Sequence, residues 1–149
     1  MSTTIAVKPL NLYFSEVCDL SGQQHTSSTT ISVASISGLD IKTINCASGS
    51  ETNLLKLTAT GMYASGNMGY FAVTNRDSEA SVRLALSGST SGYIIYLLKP
   101  GSRQIFFNNS INTTALSPQS GDFSYSTWDS ISAVGVTAPV DVQTIYAKN

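Results

Sequence analysis

Apolar and polar residues alternate through the middle of the chain, from residue 69 to residue 108. Val82, Leu84 and Leu86, for example, are separated by single polar or small residues. A period of two places alternate side chains on opposite faces of an extended backbone, so this run predicts a half-buried strand. Four such runs are separated by turn-forming segments at residues 75–78, 87–92 and 99–102. The whole stretch predicts an antiparallel meander.

Strand-like runs also precede and follow this stretch. Leu10, Leu12 and Phe14 share one face, and two short runs at residues 31–33 and 39–43 flank a break at Ser37-Gly38. Further runs are residues 55–59, 131–136 and 140–146, whereas Ser21 to Thr30 is predicted to be a polar loop. No segment has the apolar period of a helix, so the chain is predicted to be all-β.

The spacing of the runs predicts the architecture. About eight to ten candidate strands at regular intervals indicate a two-sheet antiparallel sandwich. A jelly roll is the preferred topology and an immunoglobulin-like sandwich the second choice. The 149 residues are enough for one domain with a sizeable core. We therefore assign residues 10–149 to a single β-sandwich domain and residues 1–9, which end at a proline, to an extended N-terminal arm.

The run at residues 93–98, YIIYLL, is apolar on both faces. Such a strand is expected to be covered on both sides, either within the domain or by a partner subunit. The arm offers a second contact surface, because an arm of an assembling protein commonly packs on a neighbour. Its candidate contact residues are Ile5, Val7 and Leu10.

The number and distribution of charged residues limit the kinds of partner that the chain could bind. Charged residues are 11% of the chain and the net charge is −1, against about 25% charged residues in an average globular protein. The basic residues are scattered, which argues against a nucleic-acid partner. No apolar window approaches the about 18 residues that a membrane span needs. No secretory signal is visible, so Cys18 and Cys46 are expected to be buried thiols, with a disulfide between them as the alternative.

The sequence contains no recognisable catalytic motif. His25 is the only histidine, and no serine elbow accompanies it. The closest carboxylates, such as Asp77 and Glu79, lie in turn-like segments where aspartate commonly bonds its own backbone. We predict a protein that is not an enzyme and has no cofactor or metal. A small hydrolase stays open as an alternative and would require two carboxylates facing one cleft.

A long polar segment, residues 108–130, contains Phe123, Tyr125 and Trp128 beside two aspartates. These aromatic residues form a candidate interaction loop. They could stack on a sugar ring, as in a carbohydrate-binding module. The favoured interpretation is that they close one end of the sandwich or anchor a subunit contact, where tryptophan and tyrosine are enriched.

The middle third of the chain contains a strand ending in an Asn-x-Asp turn (residues 70–77), a second strand (82–86), a Leu-Lys-Pro-Gly corner (97–102) and Phe106-Phe107 after it. In this pattern it resembles small virion structural proteins of tailed bacteriophages. The resemblance implies a β-sandwich that decorates or cements a capsid, or a piece of the tail or neck. It implies no catalytic residues.

The resemblance and the residue pattern together predict a capsid cement or decoration protein. Its partners would be the major capsid protein or other virion proteins. It is expected to form a homo-oligomer, with a trimer favoured, to be assembled in the host cytoplasm and to be located in the virion. A tail, neck or baseplate component and a carbohydrate-binding β-sandwich module are the alternatives.

Overall fold

The computed structural model describes residues 6–88, 93–108, 110–112 and 125–149. These residues form almost only strands, which confirms the predicted all-β class. The one helical segment among them is a 3₁₀ turn, Ser65–Asn67. The strands are β1 (Lys8–Leu20), β2 (Gln23–Ile36), β3 (Gly38–Cys46), β4 (Thr52–Lys56), β5 (Met68–Asn75), β6 (Val82–Gly88), β7 (Tyr93–Leu98), β8 (Arg103–Phe106), β9 (Ser110–Asn112), β10 (Tyr125–Gly135) and β11 (Val140–Lys148).

Strands β3 to β11 form two antiparallel sheets that pack face to face. Sheet I has the order β3-β11-β5-β8, and sheet II has the order β4-β10-β6-β7, with β9 beside the start of β10. Their inner faces share one hydrophobic core. The predicted two-sheet antiparallel sandwich is confirmed at this level, and the jelly-roll topology stays a prediction.

The core is built around aromatic rings. The Trp128 side chain is fully buried, and its ring centroid lies 5.6 Å from that of Phe106. Phe106 stacks in turn on Phe71, which is its cross-strand partner in sheet I. Leu84 and Ile131 of sheet II are also fully buried. Alternate residues of the strands thus supply the core, as their period of two predicts.

The predicted meander is wrong in its connectivity. Its four runs do form β5, β6, β7 and β8, but β5 pairs with β8 in sheet I while β6 pairs with β7 in sheet II. The chain therefore crosses between sheets at residues 76–81 and returns at 99–102. Because packed sheets lie about 10 Å apart, connections of this length can span the gap. Crossing lets all four apolar faces meet in one core.

Strands β1 and β2 form a separate two-stranded hairpin. Its two-residue turn, Ser21 and Gly22, has positive φ angles of 55° and 79°, the backbone of the type I′ turn that suits a twisted hairpin. The predicted polar loop Ser21–Thr30 is wrong, because all but its first two residues belong to β2. A strand solvated on both faces shows no apolar period in its sequence.

The base of the hairpin covers the outer face of sheet I. Leu10, Leu12, Val33 and Ile36 of the hairpin pack against a cluster formed by Tyr70, Ala72 and Ala147 of the sheet. The hairpin tip, residues 15–28, is exposed throughout. Six extended residues beyond Phe14 reach about 20 Å at roughly 3.4 Å per residue. The hairpin thus includes Lys8 and Pro9, the last two residues of the predicted N-terminal arm, whereas residues 1–5 of that arm lie outside the described residues.

Both cysteines are free thiols, as predicted, but only Cys46 is buried. Cys18 lies in the exposed hairpin tip, so the expectation that it is buried is wrong. No helix in the described part of the chain is long and apolar enough to cross a membrane.

Candidate functional site

The hairpin presents large apolar side chains to solvent. Tyr13, Val17 and Leu20 are 78%, 61% and 60% exposed. Side chains of this size are normally exposed singly rather than along one element. Strand β1 therefore has the properties of a contact surface.

One face of the hairpin runs from the covered base to the exposed tip without a break. We call this the packing face; its β1 residues are Leu10, Leu12, Phe14, Glu16, Cys18 and Leu20. Leu12 lies opposite Ile31, which is 38% exposed, and Cys18 lies opposite His25. The face thus begins on sheet I and continues past it, where its residues are Glu16, Cys18 and Leu20, opposite Ser27, His25 and Gln23.

A second exposed apolar surface lies on sheet II. Ile94, Tyr96 and Leu98 of β7 pack in the core, whereas Ile95 and Leu97 are 62% and 58% exposed. We predicted that both sides of β7 are covered, but in the described residues only one side is. Among the described strands, β7 also lies at the edge of sheet II, and an exposed apolar edge is a site of unwanted pairing unless something covers it.

The surroundings of these side chains define what we call the β6–β7 face. Arg83 of β6 is exposed and lies directly opposite Leu97, while Ala85 lies opposite Ile95. On its other side Arg83 pairs with Val134 of β10. The face therefore combines the exposed apolar side chains of Ile95 and Leu97 with the guanidinium group of Arg83.

A cleft of about 250 Å³ lies where β3 of sheet I faces β4 of sheet II. The Lys42 ammonium is 2.7 Å from the Asp40 carboxylate and donates to the Tyr63 hydroxyl at 2.5 Å. The Tyr63 hydroxyl donates to the same carboxylate. This network closes the edge of the sandwich with polar groups.

The network shifts the titration of its members. Hydrogen bonds from Lys42 and Tyr63 lower the pKa of Asp40, and the bond to Asp40 raises the pKa of Lys42. Tyr146 also lines the cleft; burial raises its pKa, and its hydroxyl has no hydrogen-bond partner among the described residues. Asp40 is the single carboxylate among the described lining residues, so the cleft lacks the carboxylate pair of a glycosidase.

Of the residues in the predicted interaction loop, Trp128 is the one whose side chain the structure describes. Phe123 lies outside the described residues, and Tyr125 begins β10. Trp128, three residues further along that strand, is fully buried and cannot stack on a sugar. Its position agrees with the favoured interpretation that this residue fills the sandwich.

Two of the three predicted arm residues lie in the described part of the chain. Ile5 lies outside the described residues, and Val7 is 55% exposed before β1. Leu10 packs at the base of the hairpin.

Sequence reasoning missed the exposed residues of the hairpin, the outward residues of β7 and the Asp40 network. The Ser21-Gly22 pair was the one local signal for the hairpin, since Gly22 readily adopts the positive φ that a two-residue turn needs. No group of three or more His, Cys, Asp or Glu side chains in the described ranges could hold a metal ion.

No protein-family model, curated protein or solved structure matches this chain. Its function is therefore argued from its own surfaces.

Proposed function

We propose that this chain is a non-enzymatic structural protein of a bacteriophage virion that binds the capsid shell and stabilises it. The observation that carries the proposal is the hairpin, whose tip extends away from a two-sheet core and whose first strand exposes Tyr13, Val17 and Leu20. A two-stranded hairpin is marginally stable on its own in water. A tip of this length with exposed apolar side chains is suited to packing on another protein subunit.

The composition supports the same role. A low fraction of charged residues, 11% of the chain, suits surfaces that become covered in an assembly, because charged residues are depleted at the centre of protein interfaces. The resemblance of residues 70–107 to virion structural proteins indicates that the assembly is a virion.

Electron microscopy of the virus particles whose genome encodes this chain tests the proposal. We expect density for the sandwich at regular positions on the shell, with the hairpin inserted between neighbouring subunits. A variant lacking residues 15–28, with Phe14 joined to Thr29 by an Asn-Gly turn, should fold but leave the shell unoccupied. Particles without this chain would overturn the proposal, and density confined to the tail or neck would favour the tail, neck or baseplate alternative.

A carbohydrate-binding module is the second candidate, and the cleft beside β3 is the observation that favours it. The cleft combines the Tyr63 ring with the carboxylate of Asp40, the ammonium of Lys42 and the amide of Asn53, which are groups that hydrogen-bond sugar hydroxyls. A glycan array decides between the candidates. Glycan binding by the intact protein that is lost in Asp40→Ala would favour the carbohydrate-binding module, whereas no glycan binding by the intact protein would exclude it.

A further inference from the structure

We propose that the cleft between β3 and β4 binds two neighbouring hydroxyls of one sugar ring, with Asp40 accepting from one hydroxyl and Lys42 donating to the next. This inference rests on the second candidate of the proposed function, because it names the part of a carbohydrate that the cleft holds. It does not depend on the virion role, which uses the hairpin on the outer face of sheet I.

Polar side chains interrupt the apolar inner face of sheet I at this cleft. Strand β11 places Thr144 and Tyr146 there, and their cross-strand partners on β3 are Lys42 and Asp40. Thr144 and Tyr146 are only 4% and 2% exposed, and the Tyr146 hydroxyl has no hydrogen-bond partner in the described ranges. Buried polar groups cost stability unless they are hydrogen-bonded. Stability of the fold alone therefore does not account for this polar lining.

Asp40 and Lys42 each keep hydrogen-bonding capacity for a ligand. The Lys42 ammonium and the Tyr63 hydroxyl both bond Oδ2 of Asp40, which leaves Oδ1 as an acceptor. An ammonium has three N–H donors, and Lys42 directs two of them to Asp40 and Tyr63, which leaves the third. Because Nζ and Oδ2 are 2.7 Å apart and both side chains are partly exposed, this donor and this acceptor are accessible neighbours.

A pair of adjacent hydroxyls fits both groups. A hydroxyl can donate one hydrogen bond and accept others, so one hydroxyl donates to Oδ1 of Asp40 while its neighbour accepts from Lys42. A carboxylate ligand has no hydrogen for Oδ1, and an ammonium ligand has no lone pair for Lys42. Lys56, the third charged residue of the described lining, adds a positive charge. A carboxylate is therefore the competing ligand that the experiment must exclude.

The rest of the lining favours a single ring. Leu54, Leu55 and Phe71 supply apolar surface beside the polar groups, and ligand sites commonly combine apolar walls with a few polar groups that fix orientation. The C–H groups of a sugar ring match such walls. The volume of about 250 Å³ is below the roughly 300–1,000 Å³ of sites for larger ligands, so the cleft suits one ring rather than a chain of sugars.

Titration followed by amide chemical shifts tests the inference on the intact protein. Vicinal cyclohexanediol and the isomer with hydroxyls on opposite carbons contain the same atoms and differ in hydroxyl separation. We expect the vicinal isomer to shift residues 40–42 and 53–56 with a Kd about tenfold lower, because it alone reaches both groups. Galactose should shift the same residues and bind more tightly than open-chain glycerol. Tighter binding of acetate than of the vicinal diol, or no saturable shift with the diol and galactose, would overturn the inference.

Two pairs of variants locate the binding. Asp40→Asn and Lys42→Gln should each raise the Kd for galactose about tenfold, because each removes a charge-assisted hydrogen bond. Asp141→Asn and Lys99→Gln are the matched controls, since they make the same changes at exposed positions outside the cleft, and they should leave the Kd unchanged. Equal effects in the cleft variants and the controls would contradict the assigned contacts.

The outcomes separate this inference from the functions proposed above. Glycan binding that is lost in Asp40→Ala but shows no preference for the vicinal diol would refute the inference and leave the carbohydrate-binding module standing. Absence of all sugar binding would refute both and leave the virion role to electron microscopy. Galactose binding with the expected variant effects, in a protein missing from virions, would support the inference and refute the virion role alone.

Discussion

The side-chain amide of Asn75 donates a hydrogen bond to the Ala80 carbonyl at 2.8 Å, although these residues lie at opposite ends of a crossing between the two sheets. The same amide donates to Leu98 O at 3.2 Å, where the chain is about to return. Its oxygen accepts from Asp77 N at 2.9 Å. Asn75 is fully buried. Its side chain therefore hydrogen-bonds both segments in which the chain crosses between the two sheets.

Replacing this residue should therefore be costly. Asn75→Ala leaves two buried carbonyls without their donors, and we expect the free energy of unfolding to fall by about 2–4 kcal/mol. Urea unfolding followed by circular dichroism measures this change. Asn45→Ala is the matched control, because Asn45 makes its bond to Asp141 at the exposed surface, and it should cost no more than about 0.5 kcal/mol. Equal losses in the two variants would contradict the role assigned to Asn75.

Trp128 should behave as a core residue. Trp128→Ala removes a fully buried ring and should destabilise the fold by about 3–5 kcal/mol. Trp128→Phe should cost less, since it keeps an aromatic contact to Phe106 and removes an indole N–H that has no partner among the described residues. Denaturant unfolding of both variants gives the comparison. If Trp128→Ala unfolded like the wild type, the buried position of the ring would be wrong.

The two thiols should react very differently. Burial, with a smaller contribution from the Asp141 charge, raises the pKa of Cys46 to about 11, so little thiolate is present at pH 8. Cys18 is exposed. A thiol reagent whose leaving group absorbs light should detect one reactive thiol per chain in the native protein and two in denaturant. Cys18→Ser should abolish the native reaction, whereas a native count of two would contradict the burial of Cys46.

Acid should weaken the turn between β5 and β6. Backbone N–H groups of Ala80 and Glu79 donate to the Asp77 carboxylate and lower its pKa. A carboxyl whose pKa is lowered by folding adds stability above its unfolded value, near 3.9, and this stability is lost as the pH falls through the lower folded value. The Tm should therefore drop less between pH 5 and pH 2 in Asp77→Asn than in the wild type. Identical pH profiles would contradict this assignment.

The turn around Asp77 was also predictable from sequence, because an aspartate in a turn commonly accepts bonds from backbone N–H groups two or three residues further on. The alternation of Val82, Leu84 and Leu86 likewise predicted β6. Both signals are local, since they depend only on a period of two and on the reach of a short side chain.

The pairing of strands was not predictable in this way. Leu39 and Ile41 alternate with Asp40 and Lys42, which suggests that the apolar pair faces the core. In the structure Asp40 lies opposite Tyr146 on the inner face of sheet I, and the two aliphatic residues are more than half exposed. The period identifies which residues share a face, but pairing with β11 decides which face is inside.

The tip of the hairpin escaped detection for a different reason. Its second strand is rich in Ser and Thr and has solvent on both faces. Because neither face is buried, its sequence shows no alternation of apolar and polar residues. The Asp40 cleft required residues from β3, β4 and β11 to meet, and such encounters between distant segments depend on topology that one sequence does not specify.

Strand β11 lies between β3 and β5 in sheet I and pairs with both, yet it follows all other strands in the chain. A ribosome must therefore synthesise about 140 residues before sheet I can close, so β3 and β5 emerge without the neighbour that joins them. Until then the unpaired edges of these strands are open to aggregation. The order of the strands thus leaves the closing of sheet I to β11, which is synthesised after β3, β5 and β8.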